Sequence, residues 1–133
     1  MIAFGLSDWR QYLKDGEGYL TTAQQAAARK KQAFTPEILY NLTAMAIEKY
    51  IMGFLMSRGD LADNHTMGDL LAAMERHIPL PAELAGDLLF LDSFQEICDL
   101  DTYSRRPPTS AEIEKILNIG QQIKEFINSR TSH

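Results

Sequence analysis

Residues 35–59, TPEILYNLTAMAIEKYIMGFLMSRG, decide the fold. The stretch opens as helices open. Thr35 can cap the first amides, Pro36 stands where a missing N–H costs nothing, and Glu37 faces the positive end of the helix dipole. The pattern then continues to about Ser57, a helix of roughly 33 Å at 1.5 Å per residue. Glu37, Asn41 and Glu48 fall within about 40° of each other when residues are spaced 100° apart. Most other directions are apolar, through Ile38, Leu39, Leu42, Met45, Ile47, Ile51, Phe54 and Leu55. A helix apolar nearly all round is buried on several sides. It is the centre of a bundle, or it is shared between a bundle and a dimer interface.

Toward the C-terminus, Thr66-Met-Gly-Asp69 resembles a capping box with Asp in the Glu or Gln place. Met67, Leu70, Leu71 and Met74 follow at one-face spacing up to about His77. Pro79 and Pro81 separate that helix from the next, marked over 82–98 by Leu84, Leu88, Leu91 and Phe94. Residues 99–108 read as a loop. Thr109 and Glu112 form a second capping box, and the last helix carries Ile113, Ile116, Leu117, Gly120, Ile123 and Ile127 on one stripe. The tail 128–133 is polar. Toward the N-terminus, Leu20, Ala23, Ala27 and Phe34 mark a helix over about 20–33. A shorter one over 7–15, capped by Ser7, carries Trp9, Tyr12 and Leu13. Gly16 and Gly18 predict a break between them. No segment alternates with period two. The expected fold is all-α: an up-down bundle of about five helices in one domain, its core over about 20–127.

A chain of 133 residues suits one core, and 45% apolar with 23% charged residues is ordinary for a globular protein. No run of eighteen apolar residues is free of charge, so no membrane span is expected. The start, MIAFGLSDW, lacks the basic region of a signal peptide. The single cysteine, Cys98, can form no intramolecular disulfide and reads as a small core residue, which favours a reducing cytoplasm. A net charge of −5 argues against a dedicated nucleic-acid coat and against DNA as a partner, but it leaves room for a local basic site. Arg29-Lys30-Lys31 reads as a solvated helix face. There is no HExxH, no Cys/His zinc pattern, no P-loop and no GxGxxG, so no metal and no cofactor are expected.

Three landmarks stand in order. They are Ala46-Ile-Glu48-Lys49-Tyr-Ile-Met-Gly-Phe-Leu55 ending in Arg58-Gly59, then His65-Thr-Met-Gly-Asp-Leu-Leu71, then Tyr103-Ser-Arg105-Arg106-Pro-Pro108 before the capped last helix. The ordered set resembles the HEPN domain family of small helical bundles over roughly residues 20–127. Met67 stands where that family usually has leucine, Arg106 where it often has tyrosine, and Pro108 where it often has aspartate. The resemblance implies a domain that pairs with itself and serves a separately encoded nucleotidyltransferase, or that recognises a nucleotide or RNA end. The family's best-known activity is metal-independent RNA cleavage by an Arg and a His with four to six residues between them, late in the bundle. Here only Arg58 and His65 meet the spacing, and they stand in an early turn with Gly59 after the arginine. A non-catalytic binding module is therefore the expectation. An active HEPN ribonuclease using Arg58 and His65, as the toxin of a toxin–antitoxin pair, is the alternative, and a structural dimer without a small ligand is a third.

Two groups of residues are the candidate ligand contacts. His65 precedes a helix N-terminus, where free amides and partial positive charge suit a phosphate. Its structural role would be to cover that first turn. Arg105 and Arg106, beside Tyr103 in a proline-rich loop, can grip a phosphate bidentately while the tyrosine stacks. As structural groups they would instead pair with Asp99 or Asp101.

Overall fold

The computed structural model describes residues 8–95 and 108–131. Among them are five helices and no strand: α1 (Trp9–Ala28), α2 (Pro36–Ser57), α3 (Met67–Glu75), α4 (Ala82–Gln95) and α5 (Ser110–Asn128). None is long and apolar enough to cross a membrane. Residues 96–107, and with them Cys98, Tyr103, Arg105 and Arg106, lie outside the described residues.

Helix α2 is the axis of the bundle. Thr35 caps it by accepting from the Ile38 amide at 3.2 Å, with Pro36 at the first position. Helix α1 packs along it most extensively, then α5 and α3, while α4 bridges α3 and α5. The Tyr40 hydroxyl also donates to the Leu91 carbonyl of α4 at 2.9 Å. Ile47, Ile51, Phe54 and Leu55 are fully enclosed, each such side chain contributing about 1.5–3 kcal/mol by leaving water. The apolar circumference of α2 is thus consumed mainly inside the monomer. Ile38 and Met45, 41% and 39% exposed, are its large apolar side chains left facing out.

Helix α1 differs from the sequence expectation at two points. Gly16 and Gly18 do not break the chain; α1 runs through both. Gly16 is used for close packing. A Cβ there would lie 3.0 Å from Tyr50 Cδ2 and 3.1 Å from the Ala46 carbonyl oxygen, so only glycine lets α1 approach α2 this closely. The propensity cost of a glycine, about 1 kcal/mol, is outweighed by the interhelical contact. The helix also ends at Ala28, before the expected Ala33. Lys30 takes a left-handed φ of 51°, and the amides of Lys30 and Lys31 close back on the carbonyls of Ala27 and Ala26, both at 3.1 Å. Arg29, Lys30 and Lys31 are therefore exposed in a turn beyond the helix.

Most of the apolar stripe residues read from the sequence are buried, while Ala27, Phe34 and Leu117 are partly buried against the core. Met67, Leu70, Leu71 and Met74 of α3, Leu84, Leu88, Leu91 and Phe94 of α4, and Ile113, Ile116, Ile123 and Ile127 of α5 all lie in the core. At the end of α5, Thr131 is buried and donates to the Ile127 carbonyl at 3.0 Å.

Candidate functional site around Glu48 and His65

Helix α2 ends in a glycine turn. Gly59 has φ 74°, its amide donates to the Met56 carbonyl at 3.0 Å, and the Asp60 amide reaches the Leu55 carbonyl at 2.8 Å. This is the Schellman arrangement, which satisfies the last carbonyls and reverses the chain. The segment 60–66 then folds back along α2. Its start is held by Asp60, whose Oδ2 accepts from Arg76 Nη2 and pairs with His77 Nε2, both at 2.8 Å. These bonds, that to His77 first, hold the Asp60 carboxyl at about 2, below its ordinary 3.8. Its far end is held by His65, whose Nδ1 meets Glu48 Oε2 in the middle of α2.

The Glu48–His65 pair opens onto a cavity of about 280 Å³ lined by Tyr12, Met45, Glu48, Lys49, Met52 and His65. That is near the small end of small-molecule sites, roughly 300–1,000 Å³. Tyr12, Met45 and Met52 make its apolar wall. Lys49 sets its ammonium over the Tyr12 ring, 4.6 Å from the centroid. With Nδ1 turned to Glu48, the other ring nitrogen of His65 is the one left to meet a ligand. Carboxylate, ammonium and imidazole together supply both donors and acceptors, which suits a polar planar edge such as that of a base.

The two members of the only Arg–His spacing go to different partners. Arg58 lies over the Phe54 ring, 4.9 Å from its centroid, while His65 turns to Glu48. The amides behind His65 are also taken. Thr66 Oγ1 accepts from the Asp69 amide at 3.0 Å, and Asp92 of α4 accepts from the Met67 and Gly68 amides at 2.9 Å each. The N-terminus of α3 thus carries an internal carboxylate in the place where a phosphate would sit. The Asp69 carboxylate accepts from the Thr66 hydroxyl at 2.8 Å. By contrast, Thr109 and Glu112 form both arms of their box, at 2.9 and 3.2 Å. Among the described residues no three His, Cys, Asp or Glu side chains are grouped to hold a metal ion.

Sequence reasoning singled out His65 and missed its partner. Glu48 showed as a member of the polar stripe on α2 and of the first landmark, not as a partner of His65, because a contact across seventeen residues leaves no local pattern. Asp60 and Asp92 were missed for the same reason.

The fold has solved counterparts. The crystal structure of TT1696 from Thermus thermophilus superposes with a TM-score of 0.71 at 20% identity, covering 92% of this chain and 98% of that one. ST0689, an archaeal HEPN homologue, superposes with a TM-score of 0.68 at 18% identity over 93% of this chain and 98% of its own. The chain therefore has a HEPN-like all-α fold. No family model and no curated protein matches it in sequence.

Proposed function

We propose that this domain is a non-catalytic HEPN-like binding module that recognises a nucleotide or an RNA end, acting as a homodimer beside a separately encoded nucleotidyltransferase. The observation that carries this reading is the division of Arg58 and His65 between Phe54 and Glu48, next to a cavity of base-like chemistry. Tyr12, Met45 and Met52 would take the apolar face of a base, and Glu48, Lys49 and His65 its polar edge. The sequence adds Arg105 and Arg106, with Tyr103, as the groups for the phosphate; guanidinium forks suit a phosphate better than single ammonium groups.

One observation favours the ribonuclease reading. Glu48 on Nδ1 orients His65 as a general base would be oriented, leaving the other nitrogen to take a proton. The two readings part in a single set of measurements. Calorimetric titration of mononucleotides and a short 5′-phosphorylated RNA should give saturable binding to the wild type. Affinity should fall about tenfold or more in His65→Ala, and again in Arg105→Ala/Arg106→Ala. No heat with any nucleotide would remove the binding reading. Cleavage of single-stranded RNA, lost in both Arg58→Ala and His65→Ala, would put the ribonuclease in its place.

A further inference from the structure

A second cleft, of about 470 Å³, is lined by Arg10, Leu13, Lys14 and Glu17 of α1, Tyr50 of α2 and Asn128 at the end of α5. At 100° per residue this row on α1 lies roughly 150° around the helix from Tyr12, so the cleft is separate from the one at His65.

Its deepest residue is Tyr50, 1% exposed, whose hydroxyl has no hydrogen-bond partner among the described residues. Buried polar side-chain atoms are paired in the large majority of cases, and an orphan calls for an explanation. The ring packs closely beside α1 at Gly16, where an added Cβ would lie 3.0 and 3.1 Å from its Cδ2 and Cε2. A flip about the ring axis would leave the hydroxyl where it is. Burial first, and then the negative charge of Glu17, push the phenol well above its ordinary pKa. It is therefore a neutral O–H that can donate, and what it lacks is an acceptor.

The surrounding charge selects the kind of acceptor. Arg10 and Lys14 are exposed cations at the mouth. Glu17 is the opposing charge, and Lys124 of α5 pairs with it at 3.7 Å. The end of α5 does not turn free carbonyls from its last turn on the cleft through residues 125–127. The Glu125 and Ile127 carbonyls accept from the Ser129 and Arg130 amides at 3.1 and 2.9 Å, and the Phe126 carbonyl accepts from the Ser129 hydroxyl at 2.7 Å.

We propose that this cleft binds a small oxyanion, a phosphoryl or carboxyl compound, with an anion oxygen accepting from the Tyr50 hydroxyl while Arg10 and Lys14 hold its charge. Because the hydroxyl is closed to water as the cleft stands, binding includes a rotamer change among the exposed side chains at the mouth. The site is independent of the reading given to His65.

The lone tryptophan gives a local readout. Arg10 lies over the Trp9 ring, 4.2 Å from its centroid, so an anion that draws the guanidinium away changes Trp9 emission. Inorganic phosphate and succinate are titrated separately into the full chain at constant ionic strength, followed by Trp9 fluorescence and calorimetry. Saturable binding of either one is expected, and which one binds tells phosphoryl from carboxyl chemistry. Tyr50→Phe keeps the packed ring and removes only the hydroxyl, so it should fold and should weaken binding about tenfold or more. Lys14→Gln should weaken it as well, and His65→Ala should leave it unchanged. No saturable response to either anion overturns the proposal. So does unchanged affinity in Tyr50→Phe, or a loss in His65→Ala as large as that in Tyr50→Phe.

Discussion

The carboxylate of Asp92, on α4, accepts from the Gly68 amide at 2.9 Å and with its other oxygen from the neighbouring Met67 amide at the same distance. One side chain thus joins two helices and satisfies two of the amides that a helix start leaves free. Its negative charge also meets the positive end of α3. Asp92→Ala should lower stability by about 2–3 kcal/mol, and Asp92→Asn by roughly half of that, as charge-assisted bonds become neutral or are lost. Urea unfolding checks this; a midpoint unchanged in Asp92→Ala would mean that the clamp contributes nothing.

Asp60 should make stability depend on acid. Its folded-state carboxyl titrates at about 2, below the ordinary 3.8, because His77 and Arg76 donate to it. A depressed folded pKa contributes stability that is fully present above the unfolded value and is lost as pH falls through the folded one. The window is therefore about pH 4 down to 2. At neutral pH Asp60→Asn should cost about 1 kcal/mol or less, since the pair is partly exposed. The gap between wild type and variant should close across that window. A gap that stays constant down to pH 2 would rule out this contribution.

Two glycines in one helix should respond with opposite signs. Nothing lies within 4 Å of a Cβ at Gly18, so Gly18→Ala should stabilise by about 0.5–1 kcal/mol through helix propensity. At Gly16 the same methyl would meet Tyr50 and the Ala46 carbonyl oxygen at 3.0 and 3.1 Å. There the packing cost, about 1–3 kcal/mol for an overfilled contact, should outweigh the propensity gain. Thermal unfolding of the two variants decides this, and stabilisation in both would show that α1 can retreat from α2 freely.

The proposed homodimer has a defined test surface. Ile38 and Met45 stand one above the other on the outward side of α2. Sedimentation at micromolar concentration should show a species of twice 15.0 kDa, and Ile38→Glu/Met45→Glu should shift it to the monomer. A wild-type protein that sediments only as a monomer would count against pairing.

What the sequence determined by itself is what neighbours along the chain decide. Thr35-Pro36, Thr66 and Thr109 start helices because a cap bonds an amide three residues away. Likewise Gly59 ends α2 because it accepts a left-handed φ that lets the next amides turn back. Buried stripes were legible too, because the 3.6-residue period maps directly onto one face of a helix. The passage of α1 through Gly16 was not legible, because local propensity there yields to a contact with Tyr50, thirty-four residues away. Nor were the partners of His65 and Asp60, or the carboxylate that fills the start of α3. Each depends on how far one helix slides and rolls against another, and that is decided by the whole packed core. A shift of one residue along α2 would turn Glu48 by 100° and leave His65 facing a different side chain. The candidate site is therefore a property of the tertiary structure, built from residues whose types the sequence announces and whose meeting it does not.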